Sequence, residues 1–148
     1  MTSDRPALIL IVDDDYDFLE LNRMILERAG FRVVTAAEPQ QALAKMAKEK
    51  PDLVISDLMM TSLDSGFSFA RAIKEDPGYK GIPVIITTSV SSALGLDFRP
   101  RSEVDMIEMH IDGYFDKPPD PIRLLSKIAE LLGSGPSDSS PPEATEGD

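Results

Sequence analysis

Four apolar runs of strand length in this chain stop on residues that carry a charge or a hydroxyl. Ala7 to Val12 (ALILIV) ends at Asp13-Asp14-Asp15, and Leu53, Val54 and Ile55 lead into Asp57. Pro83 to Thr87 (PVIIT) runs into Thr88, and Gly113 to Asp116 (GYFD) into Lys117. Short continuous apolar runs read as strands buried on both faces, so these polar residues should emerge at strand C-terminal ends, the edge where open α/β sheets bind ligands. Carboxylates gathered there repel one another, and a divalent cation removes the conflict. Magnesium suits an all-oxygen site with one or two carboxylates and shares its shell with phosphoryl oxygens. With Lys117 as a second positive charge and Thr88 as a hydroxyl donor, the set can neutralise the oxygens of a transferring phosphoryl group. Asp57 is then the nucleophile, forming an aspartyl phosphate.

The elements that must position these residues alternate between strand and helix. Phe18 to Ala29 carries Phe18, Leu21, Ile25 and Ala29 at helical spacing, with Gly30 placed as a C-terminal cap. Phe31 to Ala36 is the second strand, and Pro39 opens a helix through Leu43, Met46 and Ala47 that Pro51 closes. After the Asp57 strand comes a loop and then a helix from about Phe67 to Glu75. Gly95 and Pro100 argue against a helix running on from Ser91, so the next helix is expected at about Glu103 to Ile111, N-capped by Ser102. Asp120-Pro121 reads as N-cap and first-turn proline of a last helix, with Ile122, Leu125, Ile128, Ala129 and Leu132 on one face. Five strand-helix units imply a parallel sheet covered on both faces.

Composition narrows the class. A chain of 148 residues, 42% hydrophobic, makes one packed domain over residues 1–132 and leaves no room for a second, so a stand-alone module is expected. Residues 133–148 (GSGPSDSSPPEATEGD) contain one alanine as their only apolar side chain, which points to a disordered acidic tail. The absence of cysteine excludes disulfides and thiolate sites, and a single histidine, His110, excludes a multi-His metal cluster. A net charge of −11 disfavours nucleic acid and anionic membranes as partners and favours proteins and divalent cations. No apolar stretch is long enough to span a membrane and no leader pattern is visible, so a cytoplasmic location is expected.

The motifs together resemble the receiver domain of two-component response regulators, over residues from about 7 to 132. ILIVDDD is similar to that family's acidic pair, DLVISDLMM to its phosphoacceptor strand, PVIITTS to its hydroxyl switch strand and GYFDKP to its aromatic-x-x-Lys-Pro turn. The resemblance implies a flavodoxin-like three-layer fold whose five-stranded parallel sheet has the strand order 2-1-3-4-5. It implies that Asp57 takes a phosphoryl group from a histidine kinase or histidine phosphotransfer protein. It also implies Mg2+ (or Mn2+) held by Asp14 directly, by Asp13 largely through water, by Asp57, and by the backbone carbonyl of Met59. Lys117 then pairs with phosphoryl and acidic oxygens, Thr88 turns to the phosphoryl group, and Tyr114 rotates inward behind it. Such a protein is a signalling domain, not an enzyme, and acts through contacts with a downstream protein. If Val104, Ile107 and Ile111 face the sheet, Met106 and Met109 are left with Tyr114 as the output surface.

The chain departs from the family pattern in three places. Thr61 stands at a usual proline position, with Ser65-Gly66 suggesting a one-residue insertion. The stretch from Thr88 to Lys117 is longer than usual around Gly95 to Arg101, and Ser89 replaces a smaller residue. Two other readings compete. Asp13-Asp14-Asp15 satisfies the Asp-x-Asp motif of haloacid-dehalogenase-type phosphatases, with Asp13 as nucleophile, although Asp17 occupies a position those enzymes give to Thr or Val. A degenerate receiver would signal without phosphorylation. Asp13, Asp15 and Asp17 also mimic the start of a calcium loop, but Phe18 and Met24 stand at its Gly and Glu positions. Asp15 is better read as the N-cap of the first helix.

Overall fold

A strand covered by helices on both faces is buried throughout and mostly apolar. β1 (Leu8–Val12) and β3 (Leu53–Asp57) are buried along their whole length; β1 is apolar throughout and β3 as far as Ile55. β2 (Arg32–Ala36) is half-buried over four of its five residues, as befits an edge. β4 (Val84–Thr88) and β5 (Gly113–Asp116) complete one parallel sheet of order β2-β1-β3-β4-β5. This is the expected flavodoxin-like topology. The computed structural model describes residues 6–58, 65–88, 111–117 and 119–133, with the backbone alone at 65–67 and 88.

Alternation divides the strand side chains between two cores. Ile9, Ile11, Leu53, Ile55 and Ile85 pack with Leu19 and Leu26 of α1 (Tyr16–Arg28) and Leu124 and Ile128 of α4 (Pro121–Leu132). Leu10, Val12, Val54, Val84 and Ile86 pack on the other face with Ala42 and Met46 of α2 (Pro39–Lys48) and Phe69, Ala70 and Ile73 of α3 (Ser65–Glu75). Among the described residues, two helices therefore cover each face.

Helix ends follow their capping residues. Asp15 accepts from the backbone N–H groups of Asp17 and Phe18, and Asp120 accepts from that of Ile122. Gly30, at φ 98, turns the chain out of α1 in a left-handed conformation that an L side chain resists.

The helix faces differ from expectation. α1 buries Phe18, Leu19, Asn22 and Leu26, while Leu21 is 49% exposed and Ala29 also faces solvent. The buried stripe was disguised by Asn22, whose Nδ2 is satisfied by donating to the Phe18 carbonyl at 2.9 Å. In α2 the small Ala42 lies against the sheet, and Leu43 and Ala47 are exposed. In α4 Leu124 and Ile128 are buried, Leu125 and Leu132 pack at their margin, and Ile122 is 74% exposed. α3 starts at Ser65 rather than Phe67, and β4 includes Thr88. The helix expected from Glu103 to Ile111 lies outside the described residues except for Ile111, which is buried but not helical, and of the expected tail at 133–148 only Gly133, the cap of α4, is described.

The lower edge of the sheet carries the same device twice. Asp52, just before β3, accepts from the Leu8 N–H at 2.7 Å and donates its own N–H to the Leu8 carbonyl at 2.7 Å. Asp112, just before β5, does the same with Val84, at 2.8 Å and 2.7 Å. Lys74 adds an ammonium to Asp112 at 2.8 Å and to the Ile82 carbonyl at 2.9 Å. Asp112→Ala leaves the Val84 N–H without its acceptor and the Lys74 ammonium with only the Ile82 carbonyl, so urea denaturation should show a loss of about 1–3 kcal/mol. Asp52→Ala should lose less, because Asp52 faces water.

Candidate functional site

Register brings the acidic residues to one height. Val12 pairs with Ser56, which sets Asp13 beside Asp57, and the Asp13 N–H continues the ladder by donating to the Ala36 carbonyl at 3.0 Å. On the other side of β3, Asp57 pairs with Thr87, and the Leu58 N–H donates to the Thr87 carbonyl at 3.0 Å. Asp57 is thus the last strand residue rather than the first of a loop, and it is only 5% exposed.

Asp13 is wholly buried. Its Oδ1 accepts from the Asp15 N–H at 2.8 Å, and its Oδ2 lies 2.7 Å from the Lys117 ammonium. The same ammonium is 3.5 Å from Asp57 Oδ1. Asp14 is exposed at the rim, and one carboxylate oxygen from each of Asp13, Asp14 and Asp57 lies within 4.8 Å of the other two. Burial is the main force on Asp57, pushing its pKa up to about 6; the charge of Asp13 adds to it and Lys117 opposes it. Burial also raises Asp13, against the contrary pull of Lys117 and the Asp15 N–H.

This donor set fits a small hard cation. In an octahedral shell with bonds of about 2.0–2.1 Å, neighbouring oxygens sit about 2.9 Å apart and opposite ones about 4.2 Å. Oxygens within 4.8 Å of one another can converge on one such ion by side-chain movement, and added positive charge answers the repulsion that raises Asp57.

Of the residues singled out from sequence, Asp13, Asp14, Asp57 and Lys117 are gathered here. Thr88 ends β4 one residue past the partner of Asp57, and its own pairing is with Asp116. Its side chain, the Met59 carbonyl, Met106 and Met109 lie outside the described residues. Tyr114 pairs with Ile86 and packs against the α2/α3 core, on the sheet face opposite the carboxylates. One residue at the site was missed. Phe18, read as core, places its ring 4.4 Å from the Lys117 ammonium. The signal was its position three residues after the N-cap Asp15, which puts it in the helical turn nearest the carboxylates.

The profile of the response regulator receiver domain family matches residues 9–129. The chain belongs to that family. This receiver is 34% identical to PhoB, the phosphate regulon transcriptional regulatory protein of Pseudomonas aeruginosa, over 90% of its own length but only 56% of PhoB. It is 30% identical to a 14.6 kDa protein from Leptolyngbya boryana, covering 88% of this chain and 94% of that one. Among solved structures, the chemotaxis response regulator CheY4 of Vibrio cholerae superposes with a TM-score of 0.70 at 29% identity, covering 85% of this receiver and 98% of CheY4. No helix among the described residues is long and apolar enough to cross a membrane.

Because the folded-state pKa of Asp57 lies above its value of 3.8 in the unfolded chain, the native state holds the proton more tightly. The stability linked to that proton is complete below about pH 4 and lost as pH rises through about 6. Metal-free Asp57→Asn should accordingly be more stable than the wild type at pH 7.5 by roughly 1–3 kcal/mol. The gap should close toward pH 4 in denaturant titrations at each pH.

Proposed function

We propose that this receiver accepts a phosphoryl group on Asp57 from a histidine kinase or histidine phosphotransfer protein and passes the change on through protein–protein contacts. The observation that carries the reading is Asp57 itself, a carboxylate 5% exposed, next to a buried Asp13 and within 3.5 Å of an ammonium. With a pKa of about 6 it remains mainly ionised near neutrality, as a nucleophile must be.

In the transfer, a carboxylate oxygen of Asp57 forms a bond to phosphorus as the phosphorus–nitrogen bond of the phosphohistidine breaks. The electron pair of that bond returns to the imidazole. Lys117 offsets charge on the phosphoryl oxygens, and Thr88, at the end of the strand adjacent to Asp57, supplies a hydroxyl donor. Asp13, Asp14 and Asp57, with the Met59 carbonyl, would hold Mg2+ or Mn2+, which when bound contributes further positive charge to phosphoryl oxygens. Tyr114, Met106 and Met109 form the output surface in this reading.

Asp13 suits the nucleophile's role less well, since its two oxygens already face the Asp15 N–H and the Lys117 ammonium. Incubating the wild type, Asp57→Asn and Asp13→Asn with acetyl phosphate and Mg2+ separates the two carboxylates by intact-protein mass spectrometry. Wild type should gain one phosphoryl group and Asp57→Asn none, with slower labelling of Asp13→Asn. Full labelling of Asp57→Asn alongside an inert Asp13→Asn would instead favour a phosphatase-type nucleophile at Asp13.

A further inference from the structure

Lys117 follows β5, yet its ammonium lies against Asp13 after β1 and Asp57 at the end of β3. β4 runs between β5 and β3, and parallel strands are about 4.8 Å apart, so the lysine stem has to cross the end of β4 to arrive there. The buried residue of β4 at that height is Thr87, whose hydroxyl has no hydrogen-bond partner among the described residues and does not hold the ammonium. Among the described residues, the ring of Phe18 also meets the ammonium, 4.4 Å away at its centroid.

That ring is fixed relative to Asp13 by a short relay of backbone donors. The Asp15 N–H donates to Asp13 Oδ1 at 2.8 Å, and the Phe18 N–H donates to Asp15 Oδ1 at 3.3 Å. The Phe18 carbonyl accepts from Asn22 Nδ2 at 2.9 Å, and the residue is 8% exposed. Ring and carboxylate therefore present themselves to the same ammonium as one unit. A carboxylate holds an ammonium by directing an N–H at one oxygen, whereas an aromatic face attracts the charge and engages no particular N–H.

We propose that Phe18 is a positioning residue for phosphoryl transfer: its ring face keeps the Lys117 ammonium beside Asp57 and leaves its N–H groups able to turn from Asp13 to an incoming phosphoryl group. This rests on Asp57 being the acceptor. Leucine at this position would fill similar apolar volume without attracting the charge, and tyrosine would restore the attraction.

The test measures initial rates of labelling by acetyl phosphate with Mg2+ in wild type, Phe18→Leu and Phe18→Tyr, and repeats Phe18→Leu in a Lys117→Met background. Phe18→Leu should label roughly threefold to tenfold more slowly, the effect of a partly desolvated cation–π contact, and Phe18→Tyr should recover most of the rate. In Lys117→Met, adding Phe18→Leu should change nothing further. Equal rates for wild type and Phe18→Leu, or the same slowing with and without Lys117, would overturn the proposal. Proton NMR of the wild type supplies a readout independent of any variant's folding: the Lys117 Hε protons should be shifted upfield by the ring, and ordinary lysine values would also overturn it. Were Asp57 not the acceptor, the wild type itself would fail to label at Asp57, a result distinct from any difference among Phe18 variants.

Discussion

Two buried carboxylates share one ammonium in this molecule, and the arrangement leaves an excess of negative charge in a place that water scarcely enters. Asp13 and Asp57 have side chains 0% and 7% exposed, and Lys117, 15% exposed, lies 2.7 Å from one and 3.5 Å from the other. Burial and mutual repulsion push Asp57 up to about 6 despite the lysine. Further positive charge or a redistribution of the negative charge lowers the energy of this site. Under the proposed function, a phosphoryl group added to Asp57 changes this charge balance at its centre.

The sheet has to hold that imbalance in register. Successive residues of a strand point to opposite faces, so a slip of one residue would turn Asp57 away from Asp13 and Lys117. The pairings Val12 with Ser56 and Asp57 with Thr87 prevent this at the upper edge. At the lower edge Asp52 and Asp112 each lock a strand start to its neighbour through a side-chain acceptor and a backbone donor. Fixing the starts of β3 and β5 fixes where Asp57 and Lys117 come out, because both strands are short.

The sheet was legible in the sequence because its inner strands β1, β3 and β4 are apolar runs that end abruptly on polar residues. The same abruptness disclosed Asp13, Asp57 and Lys117 at one edge. Caps at Asp15, Asp120 and Gly30 were legible because their side chains, or the lack of one, determine local hydrogen bonding directly. Helix faces were harder to read. Apolar spacing in α1 favoured Leu21, Ile25 and Ala29, but burial went to a stripe containing Asn22, which local spacing alone could not reveal as satisfied. Ile122 extends an apolar face beyond the part that meets the sheet. Spacing from the N-cap Asp15 places Phe18 near the carboxylates, but its contact with Lys117 joins two residues far apart in the chain.

The most direct measurement of the central claim is the titration of the Asp57 carboxyl carbon by NMR in metal-free protein and again with Mg2+. The charge imbalance predicts a midpoint near 6 without metal, moving down when the cation is present. A midpoint near 4 that Mg2+ leaves unchanged would show that Asp57 is not held in a charge-imbalanced, cation-seeking site.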